Sequence, residues 1–431
     1  QTLPKSTGNT QLHKLRHKSS SCDNRQLPPL CSRTPQTLPK SAGMFRRIAA
    51  RKVFCLALFC SFLGHLCLHV ACIPSHSVES GGCAKREAPA RMVAIGDIHG
   101  DAGKLRAALR LAGVLHDTAD EWVGNNTVVV QVGDQVDRGD DEIEVLALLR
   151  RVRNQAQAAG GDVHVLVGNH ELMAAMADFR YATPGAIEAF DKWNRICSQK
   201  ENLPSSEADA NWCELWTEPL VCAAHDTVCN YLLPRLPAAY RSRFLALRPA
   251  GPIASNVWGA ENHAVLLVGN TLFVHGGFHV NEETACQDIE HANHATAAWM
   301  QGFDATGSPT PGPDGASDEQ LETTLQGPGE KRMRNPPNVV ADPEGPFWTR
   351  IFSNPTYSAE EEAARCLKLQ RVLEAVGAER MVVGHTPQLE GIAEGCGGRV
   401  WRVDVAMSSG MGGQPAQVLE ILDNGPVTIL K

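Results

Sequence analysis

The chain has 431 residues, 43% hydrophobic and 20% charged, with a formal net charge of −8 and a pI near 6.1. That length suits one large domain or two ordinary ones, and the composition is globular. The acidic balance, with no basic run outside the N-terminal segment, argues against a nucleic-acid partner, whose phosphates call for a basic patch.

The chain opens on Gln1, so translation is expected to begin elsewhere. Gln-Thr-Leu-Pro-Lys-Ser occurs at 1–6 and again at 36–41, and residues 1–43 read as low-complexity sequence unable to bury a core. Met44 opens a new pattern. Arg46, Arg47, Arg51 and Lys52 precede a nearly unbroken apolar run over 53–72. Residues 44–75 are therefore expected to be a secretory signal peptide, or a signal anchor if uncleaved, since about 20 apolar residues can span a bilayer. This directs the chain to the secretory pathway, endomembrane or extracellular; a signal-led route into a plastid stays open. Membrane contact is expected only through this segment. Residues 76–90 read as a linker, and 91–431 as the working domain. Eight cysteines, Cys83, Cys197, Cys213, Cys222, Cys229, Cys286, Cys366 and Cys396, follow the apolar run. They suit either disulfides, with a stapled insert around 197–229, or buried free thiols. Asn125-Asn126-Thr127 is a glycosylation sequon that matters only in a secreted protein.

In the domain, Val93-Ala94-Ile95-Gly96-Asp97-Ile98-His99-Gly100 sets a pattern: a short apolar strand ends in Gly, an acid and an imidazole. The pattern recurs. Val128 to Val132 leads into Gly133-Asp134-Gln135-Val136-Asp137-Arg138-Gly139, and His164 to Val167 into Gly168-Asn169-His170-Glu171. Leu272 to Val274 leads into His275-Gly276-Gly277, and Met381 to Val383 into Gly384-His385-Thr386. Helical spacing follows the first two strands, at Leu105, Leu109 and Val114 and at Ile143, Leu146 and Leu149, giving an α/β layer architecture with ligands at the carboxyl ends of the strands. Residues 174–262, with Trp193, Trp212 and Trp216, read as an inserted helical cap. A hairpin turning at Gly269-Asn270 follows, and 308–346 reads as a Gly/Pro-rich mobile loop. Residues 360–376 return to helix. Strands at 381–383, 400–405, 418–422 and 427–430 are expected to form a second, partly antiparallel sheet packed on the first.

Asp97, His99, Asp134, Asn169, His275 and His385 are six oxygen or nitrogen donors at strand ends. Mixed carboxylate and imidazole ligation suits Mn, Fe or Zn. Six donors are too many for one working ion, and suit two divalent ions sharing Asp134. Two ions ~3.5–4 Å apart lower the pKa of a bridging water, so that hydroxide becomes the nucleophile. Arg138 offers a planar fork to phosphate oxygens. His170 could protonate the departing oxygen, with Asp137 fixing its tautomer. Glu171 reads as a local hydrogen-bonding group. A lone Gly-Asp-x-His-Gly is more often a turn; its recurrence at five strand ends carries the reading.

In this order the motifs resemble the phosphoprotein phosphatase family of calcineurin-like metallophosphoesterases. Asp178-Phe179-Arg180-Tyr181, Gly384-His385-Thr386-Pro387-Gln388 and 401–408 resemble, within it, the Shewanella-like protein phosphatases. The resemblance covers about 91–431. It implies a four-layer α-β-β-α sandwich of two mixed sheets with an inserted cap, and a dinuclear centre, Mn first among candidates. Asp97, His99 and Asp134 would hold one ion, and Asp134, Asn169, His275 and His385 the other. His170 with Asp137 would be the acid pair, and Arg138 and Arg350 the phosphate clamps, with Arg180 a rival for the second. Asp404 would support the ligands from behind. The implied substrate is a phosphoprotein or phosphopeptide. Dinucleoside polyphosphates and other small phosphate esters are the alternative.

Overall fold

The computed structural model describes residues 83–198, 213, 220–224, 226–279, 281–303, 336–354 and 358–431. The expected low-complexity and signal segments, the first part of the linker, Trp212, Trp216 and most of the Gly/Pro-rich loop lie outside these. Among the described residues no helix is long and apolar enough to cross a membrane.

Among the described residues ten strands run in chain order as β1 (Arg91–Ile95), β2 (Val128–Gln131), β3 (Asp162–Val165), β4 (Val265–Val268), β5 (Thr271–Val274), β6 (Arg380–Val383), β7 (Ala393–Gly395), β8 (Val400–Arg402), β9 (Val418–Leu422) and β10 (Val427–Leu430). They form two five-stranded sheets, β10-β9-β1-β2-β3 and β4-β5-β6-β8-β7. β1, β2 and β3 are parallel, as are β5, β6 and β8. The outer strands β9, β10, β4 and β7 pair antiparallel. The hairpin at Gly269-Asn270 is present, with Val268 opposite Thr271 and Gly269 at φ +56°.

The expected sheet membership is corrected. Strands β9 and β10 join the first sheet, not the second. β2 occupies one edge of β1, and β9 takes the other, placing Leu419 opposite Ala94. Arg91 donates to Glu420 at 2.7 Å across that pair.

The second sheet shows why there are four layers. Leu266, Val268, Phe273, Val382 and Trp401 pack with first-sheet residues such as Val93 and Val130. Their alternates Val265, Leu267, Leu272, Val274, Met381 and Val383 pack with helical residues on the opposite face. Side chains alternate across a strand, so each buried face demands its own cover. Helices α1 (Ala102–Leu111) and α2 (Glu142–Ala158) share the first core. Helices Ala285–Met300 and Ala359–Val376 share the second. The latter opens on a Ser358/Glu361 capping box and stops at Gly377, φ +72°.

Between β3 and β4 the described residues are helical, including α3 (Asn169–Ala175), α4 (Pro184–Ser198) and the helix Arg241–Leu247. Phe190, Trp193, Phe244 and Trp258 anchor this insert in the second core. All eight cysteines from Cys83 on are paired: Cys83–Cys286, Cys197–Cys213, Cys222–Cys229 and Cys366–Cys396. Two of these staple the insert. The first corrects the linker reading from Cys83 on, because that stretch is bonded to the helix Ala285–Met300. Arg86 also exchanges backbone hydrogen bonds with Leu267 and Gly269. Of the loop expected over 308–346, the described end is ordered, with a short helix at Asn338–Ala341.

Two histidines outside the motifs meet where the insert rejoins β3. His164 and His263 stack edge to face at 5.7 Å. Burial above all pushes their pKa values down to about 4 and about 3. Both are neutral in the fold and would charge on unfolding at mildly acid pH. Their contribution is complete above the ordinary imidazole pKa near 6.5 and is lost as pH falls toward 4, by up to about 1.4 kcal/mol per ring per pH unit. Urea unfolding of His263→Gln should show a shallower loss of stability between pH 6.5 and 4 than the unsubstituted chain. An unchanged slope would contradict the assignment.

Candidate active site

The turns after β1 and β2 are sewn together by the backbone. The Asp134 carbonyl accepts from Ile98 N at 3.0 Å and His99 N at 2.9 Å, and the Gln135 carbonyl from Gly100 N at 2.8 Å. His99, Asp134, Asp137, Arg138 and His385 all sit in the left-handed region, with φ from 47° to 68°. Such positions cost a non-glycine residue about 1–3 kcal/mol each and persist only where surroundings enforce them. Gly168 and Gly384 allow the close approach. A side chain at Gly168 would fall on the Asp134 carboxylate, and one at Gly384 on that of Asp97.

Glu171 enforces the β2 turn. Its carboxylate, fully buried, accepts four backbone N–H groups: Asp134 at 3.0 Å, Gln135 at 2.8 Å, Val136 at 3.2 Å and Gly168 at 2.7 Å. The local role expected from sequence is therefore only part of its work, since three donors lie more than thirty residues away. His170 N donates to Asp134 Oδ1 at 3.0 Å, tying the start of α3 to the same turn.

Four imidazoles surround Asp134, and each has one nitrogen fixed by a protein acceptor. His99 Nδ1 donates to the Val136 carbonyl at 3.2 Å and His275 Nδ1 to the Val132 carbonyl at 2.9 Å. His385 Nε2 donates to the Trp348 carbonyl at 3.1 Å, and His170 Nδ1 to Asp137 Oδ2 at 2.7 Å. A carbonyl only accepts, so the proton on the first three is placed and the other nitrogen offers a lone pair. Those nitrogens converge. The Nε2 atoms of His275 and His99 lie 3.4 and 3.7 Å from Asp134 Oδ2; Nε2 of the fourth ring, His170, lies 4.0 Å from the same oxygen. His275 Nε2 also lies 3.0 Å from Asn169 Oδ1 and 3.2 Å from His385 Nδ1. Lone pairs facing lone pairs and anionic oxygen in a buried pocket form a cation's donor set.

The electrostatics agree for two of the three rings; burial lowers the third, His275, but Asp134 beside it more than reverses that, and its net shift is upward. Burial foremost lowers His99 to about 4 and His385 to about 3, keeping both neutral. Burial pushes Asp134 upward, but His275 and His170 foremost outweigh it and hold the carboxylate ionised. Asp97 is driven well up by burial, then by Asp404 and Asp134. Asp404, two residues beyond β8, rises to about 6, chiefly through burial. Acids crowded out of water lack positive charge, which divalent ions would supply.

Two groups bring their ligand atoms within 4.8 Å of one another: His99, Asp134 and His170, and Asp134, His275 and His385. Asp134 belongs to both. Asn169 joins the second through His275. Asp97 lies beside them, its carboxylate accepting from His385 N at 3.0 and 3.3 Å. Arg138 lies over the Tyr181 ring at 4.4 Å, and Tyr181 in turn packs on His170, centroids 5.2 Å apart. Arg350 reaches the same rim, donating to the His385 carbonyl at 2.8 Å and Thr386 Oγ1 at 2.7 Å. Arg180 is exposed and pairs with Asp178 at 2.6 Å.

The sequence pattern of the family described as calcineurin-like phosphoesterase matches residues 90–389. The chain is 33% identical over 358 residues to Shewanella-like protein phosphatase 2 of Arabidopsis thaliana, covering 80% of this chain and 78% of that protein. It belongs to the calcineurin-like phosphoesterases and, among them, to the Shewanella-like protein phosphatases. Shewanella-like protein phosphatase 1 of Plasmodium berghei is 24% identical over 319 residues, covering 74% of this chain and 67% of that one. Among solved structures, a cold-active protein-tyrosine phosphatase of a psychrophilic Shewanella is 20% identical with a TM-score of 0.47, covering 81% and 83% of the two chains.

Sequence reasoning on this Shewanella-like chain missed Tyr181 as the support of Arg138, the nonlocal span of Glu171, and Arg243. The first two lie inside quoted motifs. Arg243 carries no motif and reaches Asp137 from the insert. Replacing Glu171 with Gln would set an amide donor against backbone donors. The variant should lose about 2–3 kcal/mol of stability in urea unfolding and about 10–100-fold in Mn affinity by titration. Affinity equal to that of the original chain would refute its role in holding the Asp134 turn.

Proposed function

We propose that the chain is a metal-dependent phosphoprotein phosphatase hydrolysing phosphomonoesters. The observation that carries this is the Asp134 carboxylate shared by two imidazole groups, with two arginines at the rim. The residues fit divalent ions: His99 and Asp134, backed by Asp97, would hold one, and Asp134, Asn169, His275 and His385 the other. Two ions are proposed, Mn first, with Fe or Zn suited to the same donors. When bound, they supply Lewis acidity and activate water near neutral pH.

The chain's own groups do the rest. Arg138, packed on the Tyr181 ring, and Arg350, held by the His385 carbonyl, bind phosphate oxygens and stabilise the charge spreading over them. His170 holds a proton on Nδ1 toward Asp137 and turns Nε2 to the site. Burial pulls this ring's pKa down, but Asp134 and Asp137 more than reverse that, so its net shift is upward and favours the protonated form. Nε2–H is then the donor to the departing oxygen. The names of the relatives support phosphoproteins as substrates.

The experiment is phosphate release from a phosphoserine peptide, a phosphotyrosine peptide, diadenosine tetraphosphate and p-nitrophenyl phosphate, with Mn and after chelation. Peptide turnover restored by Mn is expected; preference for the dinucleotide would move the reading to small phosphates. His170→Asn should keep its metal and lose about 10²–10⁴-fold in kcat on the peptide. A rate within twofold of the original would sink the acid assignment.

We propose further that the domain matures in an oxidising compartment reached through the 44–75 segment, with membrane contact only if that segment is retained. Four disulfides support this, because the cytosol keeps thiols reduced. Alkylation of protein recovered from cells without reductant should find none of the eight cysteines from Cys83 on reactive. Eight reactive thiols would contradict it.

A further inference from the structure

Behind the His170–Asp137 pair lies a buried cation that the chemistry above does not use. Arg243, on the helix Arg241–Leu247 of the insert, is wholly enclosed, as are its partners Asp137 and Glu142. Its Nη2 donates to Asp137 Oδ1 at 2.8 Å, while Nε and Nη2 grip Glu142 Oε2 and Oε1, each at 3.0 Å. Glu142 Oε1 also accepts from Asp137 N at 2.9 Å. Phe179 and Phe190 close over the guanidinium, centroids 5.0 and 5.8 Å from it, and Phe179 stacks on Tyr240.

The two oxygens of Asp137 are thus divided: Oδ2 takes His170 Nδ1 and Oδ1 takes Arg243. A carboxylate held by one hydrogen bond rotates about its Cβ–Cγ bond. Held at both oxygens, and by a guanidinium itself clamped on Glu142, it has one orientation. A rigid planar fork spanning two carboxylates is a task for Arg and not for Lys, whose ammonium is a single point.

We propose that Arg243 is a positioning residue for the general acid, fixing Asp137 so that His170 Nε2 is aimed at the leaving oxygen. The inference rests on the phosphatase reading. In that reaction water forms a bond to phosphorus as the ester P–O bond breaks. The electron pair of the broken bond leaves on the ester oxygen, which takes the Nε2 proton. His170 then recovers a proton from the attacking water, giving alcohol and inorganic phosphate. A helix of the insert that carries no metal motif would therefore complete the acid.

The test uses the full Mn-loaded chain and two esters, a phosphoserine peptide with a poor leaving group and p-nitrophenyl phosphate with a good one. Arg243→Lys keeps the buried charge and guards against misfolding of Arg243→Met. With Arg243→Lys, kcat on the peptide should fall by about 10–100-fold, a loss of the size that small misplacements of catalytic groups cause. The loss on p-nitrophenyl phosphate should be at least about tenfold smaller, because a good leaving group needs little protonation. KM should stay within about twofold. In a His170→Asn background the same substitution should cost nothing more, since the two act as a unit. Equal losses on both esters, or the same loss in both backgrounds, would show a structural role and overturn the proposal. An unsubstituted chain that hydrolyses neither ester would overturn the phosphatase reading, and this inference with it.

Discussion

One carboxylate holds the site in shape. Glu171 gathers the amides of Gly168, Asp134, Gln135 and Val136 onto a single buried carboxylate. Asp134, Asp137 and Arg138 can then occupy left-handed backbone that they would not choose. Without such a clamp the β2 turn would relax toward ordinary conformations, and Asp134 would swing away from the imidazoles. Backbone strain at the site is thus offset by four hydrogen bonds placed directly behind it.

From that turn the rest of the geometry follows. Six parallel strands, three in each sheet, end at one face of the sandwich. β1, β2 and β3 deliver Asp97 and His99, Asp134, and Asn169 and His170, while β5, β6 and β8 deliver His275, His385 and Asp404. A polar cluster of this size is stable in a dry interior only if each member is satisfied. The protein fixes one nitrogen of every imidazole and leaves the other facing inward. The inward set, two groups sharing Asp134, would be satisfied by divalent cations.

Much of this was legible in the sequence because strand-end chemistry is local. An apolar run, a glycine and an acid or imidazole sit within eight residues, and the strand direction then brings five such motifs to one rim. The second sheet's hairpin and the capped helix Ala359–Val376 were legible for the same reason. What depends on distant packing was not. Order in the chain places β9 and β10 after the second sheet's strands, but pairing is decided by which edge of β1 is open. β7 is three residues long and carries little apolar signal. Arg243 looks like any helical arginine until the fold closes Phe179 and Phe190 around it. The ordered end of the Gly/Pro-rich loop was hidden too, since its role, the Pro346 carbonyl accepting from Gly276, is played by backbone atoms.

The central claim is that Asp134 is the shared ligand of the divalent ions that make this family's hydrolysis work. Anomalous scattering from Mn-soaked crystals tests it most directly. The account predicts metal density in bonding contact with Asp134 Oδ2, with His275 Nε2 completing one side and His99 Nε2 the other. Mn found only away from Asp134, at a concentration that supports turnover, would contradict it.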